Sequence, residues 1–306
     1  MKRLKQLTHW AGWLLVALSL YYVASRLQGE WQTIRQWRPG SREMAILAAA
    51  CGGYAVACVF LGLAWQRILE GLGAPTLRWR KVQSLYAQSQ LGKYLPGNIF
   101  HVVGRQMLGN RAGIPHGVLA ASTLYEFSAL GAASLVLALP LSLDAGILAS
   151  RDFPPWVLGI PAGLALLLAW VAQRQIRRRW PRLLNRRVVL GWFQAWGFHL
   201  LFFALSGALL VALGYAFSPR ALEPAVVVRL SAIFALSWLA GFVTPGAPSG
   251  VGIREGVIVL TLQPLLPTAP AALIALLLRV VTVTGDLLYF VLATTFSPPN
   301  GRKRRT

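Results

Sequence analysis

The sequence predicts an all-α polytopic membrane protein, with about six transmembrane helices and two re-entrant segments broken by Pro-Gly, arranged as two inverted repeats. Three observations predict it. The 306-residue chain is 56% hydrophobic and only 13% charged, with a mean hydropathy of +0.56, far too apolar for a soluble domain of this size. Its apolar runs approach or exceed the ~20 residues that cross ~30 Å of hydrocarbon, and they lack the period-two alternation of barrel strands. A Pro-Gly motif also recurs in the two halves of the chain.

The spans fall near 9–25, 44–65, 117–141, 156–173, 191–217 and 268–296. The first follows Lys2, Arg3 and Lys5 and ends at Val23-Ala24-Ser25, which imitates a signal peptide, but its counterpart later in the chain marks it as a retained span. Two further apolar regions, 82–112 and 229–266, are interrupted. One reads Gly92-Lys93-Tyr94-Leu95-Pro96-Gly97 and continues to Arg105; the other reads Gly241-Phe242-Val243-Thr244-Pro245-Gly246 and continues to Arg254. Both have the form G-x3-P-G-x7-R.

Pro245 follows Pro96 by 149 residues, and the same offset pairs Pro75 with Pro224, Arg80 with Arg229 and Val102 with Val251. It carries 9–25 onto 158–174, 44–65 onto 193–214 and 117–141 onto 266–290, each an apolar run in its own right. The chain therefore divides into a first membrane repeat, 1–150, and a second, 151–306. If each broken segment enters and leaves by one face, a repeat crosses three times and its copy is inverted. Loop charge agrees: residues 174–187 hold seven arginines and no acid, Arg302-Lys303-Arg304-Arg305 close the chain, and residues 142–153 carry Asp144, Arg151 and Asp152. The positive-inside rule then places both termini in the cytoplasm, although Arg35, Arg38 and Arg42 fall in an outer loop.

The net charge of +21 is read as topology signal and contact with anionic headgroups, not as a nucleic-acid surface, because the arginines cluster between apolar runs and at the termini. Cys51 and Cys58 share one apolar run and need no disulfide. Phosphate-loop, zinc-helix and nucleophile-elbow signatures are absent, so neither enzyme activity, nor a cofactor, nor a metal site is expected.

The candidate site gathers at the breaks. Pro96, Gly97 and Asn98 in one repeat, and Pro245 and Gly246 in the other, stop a helix at membrane depth, which is tolerated where backbone is buried in protein or lines a wet cavity. Matched breaks in two halves point to a central site, and half-helices starting near Asn98 and Ser249 present free N–H groups to an anion. Arg105 and Arg254, equivalent under the repeat, are the leading phosphate ligands, because a guanidinium keeps its charge and binds two oxygens at once. Glu126 lies mid-span, placed to partner a re-entrant arginine or to carry a proton. His101 and His199 titrate near neutrality when unperturbed. Glu255 follows Arg254 and is expected to point elsewhere or to bridge locally; Arg279 and Asp286, seven residues apart on one helix face, form a candidate charge pair. Structural readings compete with each: Pro-Gly as packing, the arginines snorkelling to the interface, the histidines as core residues.

The run from Gly92 through Arg105, the span holding Leu124-Tyr125-Glu126, and Pro245-Gly246-Ala247-Pro248-Ser249-Gly250-Val251-Gly252-Ile253-Arg254-Glu255 resemble the transmembrane region of the lysylphosphatidylglycerol synthase/flippase family over nearly the whole chain. The resemblance implies a bacterial cytoplasmic membrane protein that moves lipid between leaflets. The cytosolic synthase domain of that family has no counterpart before Thr306, so lysyl transfer is not expected and the cargo becomes an anionic phospholipid or a polyprenyl-linked or glycolipid. Two alternatives stand beside it: a non-transporting subunit presenting lipid to a glycosyltransferase or lipid synthase, and an ion-coupled carrier of a small anion.

The loop charges generate a topology test. In a background lacking Cys51 and Cys58, Arg182→Cys is shielded from an impermeant thiol reagent in intact cells whereas Ala149→Cys is labelled; labelling of position 182 from outside contradicts the assignment.

Overall fold

The computed structural model describes residues 38–95, 99–142, 185–217, 223–244, 248–263, 265–266 and 268–295, with positions 163 and 174. The span expected at 9–25, nearly all of that at 156–173, and Pro96, Gly97, Asn98, Pro245 and Gly246 lie outside the described residues. Among the described residues all regular structure is helical: α1 (Ser41–Gly71), α2 (Trp79–Gln90), α3 (Phe100–Arg111), α4 (His116–Ser142), α5 (Arg186–Phe217), α6 (Pro224–Val243), α7 (Ile253–Leu262) and α8 (Thr268–Thr295). Short 3₁₀ turns at Leu91–Tyr94 and Pro248–Gly250 stand before α3 and α7.

Five of these helices, α1, α4, α5, α6 and α8, are long and apolar enough to cross a membrane. Four match the spans expected at 44–65, 117–141, 191–217 and 268–296. The fifth, α6, is the first limb of the segment expected to be broken, and its 20 residues are apolar apart from Arg229, Ser231 and Ser237. Its counterpart α2 has 12 residues and carries Gln83, Ser84, Gln88, Ser89 and Gln90, too polar and too short to cross alone.

The 149-residue offset carries helix onto helix: α1 onto 190–220 within reach of α5, α2 onto 228–239 inside α6, and α4 onto 265–291 across α8. The two equivalent helices α1 and α5 pack against each other, and they run antiparallel. A side chain at Gly71 would meet Arg187 O at 3.0 Å, one at Gly191 would meet Arg67 O at 2.6 Å, and one at Gly53 would meet Leu209. At the far end the Arg42 guanidinium lies 4.7 Å from the centre of the Tyr215 ring. Equivalent helices in antiparallel contact are related by a two-fold axis across their length, so the repeat is inverted. The axis passes near Tyr54 and its equivalent Phe203, where Tyr54 meets Phe202 edge-on at 6.0 Å.

Exchanging the halves maps the other principal helix contacts onto one another as well: α1–α8 onto α5–α4, α2–α8 onto α6–α4, and α2–α3 onto α6–α7. Each half thus packs its helices into the other. The core lies along the axis, where Tyr54, Trp65, Phe202, Phe203 and Phe234 are all buried. Glycine at the α1–α5 contact lets backbones approach without side chains between them, the usual device of helix association in lipid.

Both broken segments double back. An added Cβ on Gly92 would lie 2.7 Å from His101 N, and one on Gly250 would lie 2.7 Å from Gly241 Cα. Residues 92 and 241, and 101 and 250, are equivalent under the offset, so the first glycine of each G-x3-P-G motif permits the same close approach of the two limbs.

The antiparallel axis predicts a cross-link. Gly71→Cys with Val188→Cys joins α1 to α5 through a short bifunctional reagent, whereas Gly71→Cys with a cysteine at Phe217 does not; the reverse pattern requires parallel helices.

Candidate functional site

The cavity lies beside the two-fold axis, where the doubled-back segments of both repeats meet. It has a volume of about 70 Å³, and Tyr54, Tyr86, Lys93, Arg105 and Glu126 of the first repeat face Trp238, Phe242, Ser249 and Arg254 of the second across it. Its aromatic wall is rigid: Phe242 stacks on Trp238 at 4.9 Å and takes the edge of Phe127 at 4.9 Å.

Arg105 is carried by α3, which turns through Gly113 (φ 90°) into α4 and so faces Glu126. The two form a buried salt bridge, with Arg105 3% and Glu126 1% exposed. The second Glu126 oxygen accepts from Tyr86 Oη at 2.7 Å, and Arg105 Nε donates to Ser89 Oγ at 3.3 Å. The guanidinium also lies 4.1 Å from the Tyr86 ring centre and 5.4 Å from that of Trp65. Every strong valence of Glu126, and most of those of Arg105, are therefore met inside the protein.

Arg254 has the equivalent place in α7 and a different environment. Position 275, which corresponds to Glu126, is Ala275. Among the described residues no carboxylate lies within ion-pair distance of Arg254, and its guanidinium sits 5.7 Å from the Phe234 ring centre while the residue is 8% exposed. Its aliphatic stem passes over Gly241 and Gly250; a Cβ on either would come within 3.0 Å of Arg254 Cγ. His101 stands where the second repeat has Gly250, so the first repeat lacks this slot. His101 lines the same cavity, and its Nδ1 is buried with no hydrogen-bond partner.

The remaining charges are paired. Lys93 Nζ lies 2.7 Å from Asp286, which also accepts from Tyr94 Oη and, at 3.5 Å, from Cys58 Sγ. This ties the first broken segment to α8 of the other repeat. Arg279 lies 3.6 Å from Glu255 and donates to Ser249 O at 3.0 Å. The expected Arg279–Asp286 pair is therefore corrected: seven residues share a helix face but are about two turns, or ~10 Å, apart along it, and each finds a nearer partner on another element. Glu255 acts locally, accepting from Gly252 N at 2.7 Å to cap α7. His199 is fully buried in α5, with both ring nitrogens unpartnered.

Among the described residues around the cavity, Lys93, Arg105, Arg254 and Arg279 face Asp286, Glu126 and Glu255, and the cation left without a carboxylate partner is Arg254. Sequence reasoning singled out Arg105, Arg254, Glu126, His101, Glu255, Arg279 and Asp286, and missed Lys93, Tyr94, Tyr86 and Ser89. Lys93 and Tyr94 lie inside the first Pro-Gly motif, and Tyr86 lies one heptad before Lys93, on the same face of the segment.

A family profile described as the lysylphosphatidylglycerol synthase TM region matches residues 9–289. The chain belongs to this family. Both Arg105, paired with Glu126, and Arg254 sit within the matched region. No curated protein and no solved structure gives a significant match.

The salt bridge has a stability consequence. Glu126→Gln or Arg105→Met alone leaves one buried partner uncompensated and costs about 3–5 kcal/mol, while Arg105→Met with Glu126→Leu recovers most of the loss. Thermal unfolding in detergent reads this; equal Tm for the single and double variants contradicts it.

Proposed function

We propose that this protein is a lipid translocase of the bacterial cytoplasmic membrane that moves an anionic lipid between leaflets, with the phosphate bound at Arg254. The observation that carries the reading is the unpaired, buried Arg254 guanidinium in a cavity beside the two-fold axis. Holding a cation out of water costs several kcal/mol unless an opposite charge offsets it. A headgroup phosphate supplies that charge, and the planar fork of Arg254 binds two of its oxygens. The unpartnered His101 Nδ1 in the same wall offers one further polar contact.

The inverted repeat supports translocation rather than mere binding. A two-fold axis in the membrane plane places a site beside it near the midplane, reachable in principle from either face. The Pro-Gly segments are re-entrant in this reading, one from each side. The Lys93–Asp286 bridge ties the two repeats together beside the cavity, so rocking of one repeat against the other would require that it open. Arg105 has a different role from the one its equivalence to Arg254 implies: held by Glu126, it orders the cavity wall instead of taking the phosphate. No catalytic step is assigned to the chain, and the lipid is its partner.

Reconstitution tests this. In liposomes containing a fluorescent anionic phospholipid, the wild type exchanges lipid between leaflets faster than protein-free vesicles. Arg254→Ala reduces the excess rate at least tenfold, Arg254→Lys restores part of it, and the folded Arg105→Met/Glu126→Leu variant keeps a substantial fraction. If folded wild type accelerates none of several anionic phospholipids and polyprenyl-phosphate lipids, the translocase reading fails and the lipid-presenting subunit takes its place.

A further inference from the structure

A second and larger cavity, about 310 Å³, opens on the outer surface between α1 and α2 of the first repeat and α8 of the second. Its walls include Val56 and Gly52 of α1 and Leu288 and Leu292 of α8, and a Cβ added at Gly52 would meet nothing within 4 Å. The groove is lined by hydrocarbon: its polar residues Gln83 and Tyr289 are hydrogen-bonded to each other, and Gln83 Nε2 donates to Val59 O at 3.2 Å. Val56 is 56% and Leu292 52% exposed on helices long and apolar enough to span, so the groove opens onto a surface that a membrane covers with acyl chains.

One end of the groove is charged. Arg80 and Trp79 form its rim at the start of α2, within the run Arg78-Trp79-Arg80-Lys81. The Arg80 guanidinium lies 5.8 Å from the Trp79 ring centre, and this run of the sequence carries three basic residues and no acid. A tryptophan beside arginines at the end of an apolar groove has the composition of a membrane interface facing anionic headgroups. The other repeat has no such feature among the described residues: Leu201 stands where Gly52 does, and Val228 where Trp79 does.

We propose that this groove holds one acyl chain of an anionic phospholipid, with its phosphate at Arg78 and Arg80 beside Trp79. The site is separate from the central cavity and does not depend on transport; it requires only that α1 and α8 face lipid. Along α2 the two are neighbours, since Gln83 borders the groove and Tyr86, three residues on, borders the central cavity.

The test uses full-length protein in nanodiscs doped with phosphatidylglycerol or phosphatidylcholine bearing a photoactivatable diazirine on one acyl chain, with adducts mapped by mass spectrometry. Wild type shows adducts around Val56 and Leu292 several-fold above those around Leu201, and several-fold more with phosphatidylglycerol. Gly52→Leu fits, because an added Cβ there meets nothing within 4 Å, and it lowers the groove adducts several-fold without changing those at Leu201. Val56→Phe, which fills the groove from its exposed rim, does the same if Gly52→Leu yields no folded protein. Arg78→Gln with Arg80→Gln keeps the hydrocarbon labelling and abolishes the headgroup preference. Groove adducts no stronger than those at Leu201 and insensitive to the filling variants mean boundary lipid only and overturn the proposal. So does absence of lipid adducts with a Val56→Cys variant that cross-links to a second copy of the chain.

Discussion

Helices α1 and α5 are the same element used twice, and they lie against each other head to tail. Glycines 71 and 191 let the backbones touch near one end, and Arg42 covers Tyr215 at the other. Once that contact exists, the two-fold axis is fixed near Tyr54 and Phe203, and α2, α4, α6 and α8 have to pack crosswise between halves. The doubled-back segments then meet at the axis instead of at separate ends. The central cavity lies where the two limbs of each segment approach closely at Gly92, and at Gly241 and Gly250.

Symmetry of the backbone does not extend to the charges. A carboxylate at position 126 and an alanine at 275 turn two equivalent arginines into a closed ion pair and an open cation. Gly250 in place of His101 lets the Arg254 stem cross the hairpin toward Phe234. Such single differences are enough to give a duplicated scaffold polarity: one guanidinium is neutralised in the cavity wall, and the other has no carboxylate partner among the described residues. The link from Lys93 to Asp286 adds a charged tie between the halves at the same place.

Much of this was legible in the sequence, for identifiable reasons. The spans at 44–65, 117–141, 191–217 and 268–296 show because apolar length is imposed by the bilayer itself. The inverted repeat shows because the offset of 149 acts on prolines, glycines and spans together, and the antiparallel α1–α5 contact is its physical form. The pairing of ionisable groups was less legible. Spacing along one helix said that Arg279 and Asp286 share a face, but partners are chosen across helices, and each was taken by a residue on another element. Lys93 and Tyr94 were visible inside the Pro-Gly motif yet carried no periodic signal linking them to a helix nearly two hundred residues on. The contrast between Arg105 and Arg254 could have been found by applying the offset to Glu126, which falls on Ala275.

In the proposed translocase the two equivalent arginines divide their work, one bound to the protein and one left for a phosphate. A structure determined in anionic lipid measures this directly. Headgroup density is expected within hydrogen-bond distance of the Arg254 guanidinium, with Arg105 still closed on Glu126. Headgroup density on Arg105, with Glu126 turned away and Arg254 empty, would contradict it.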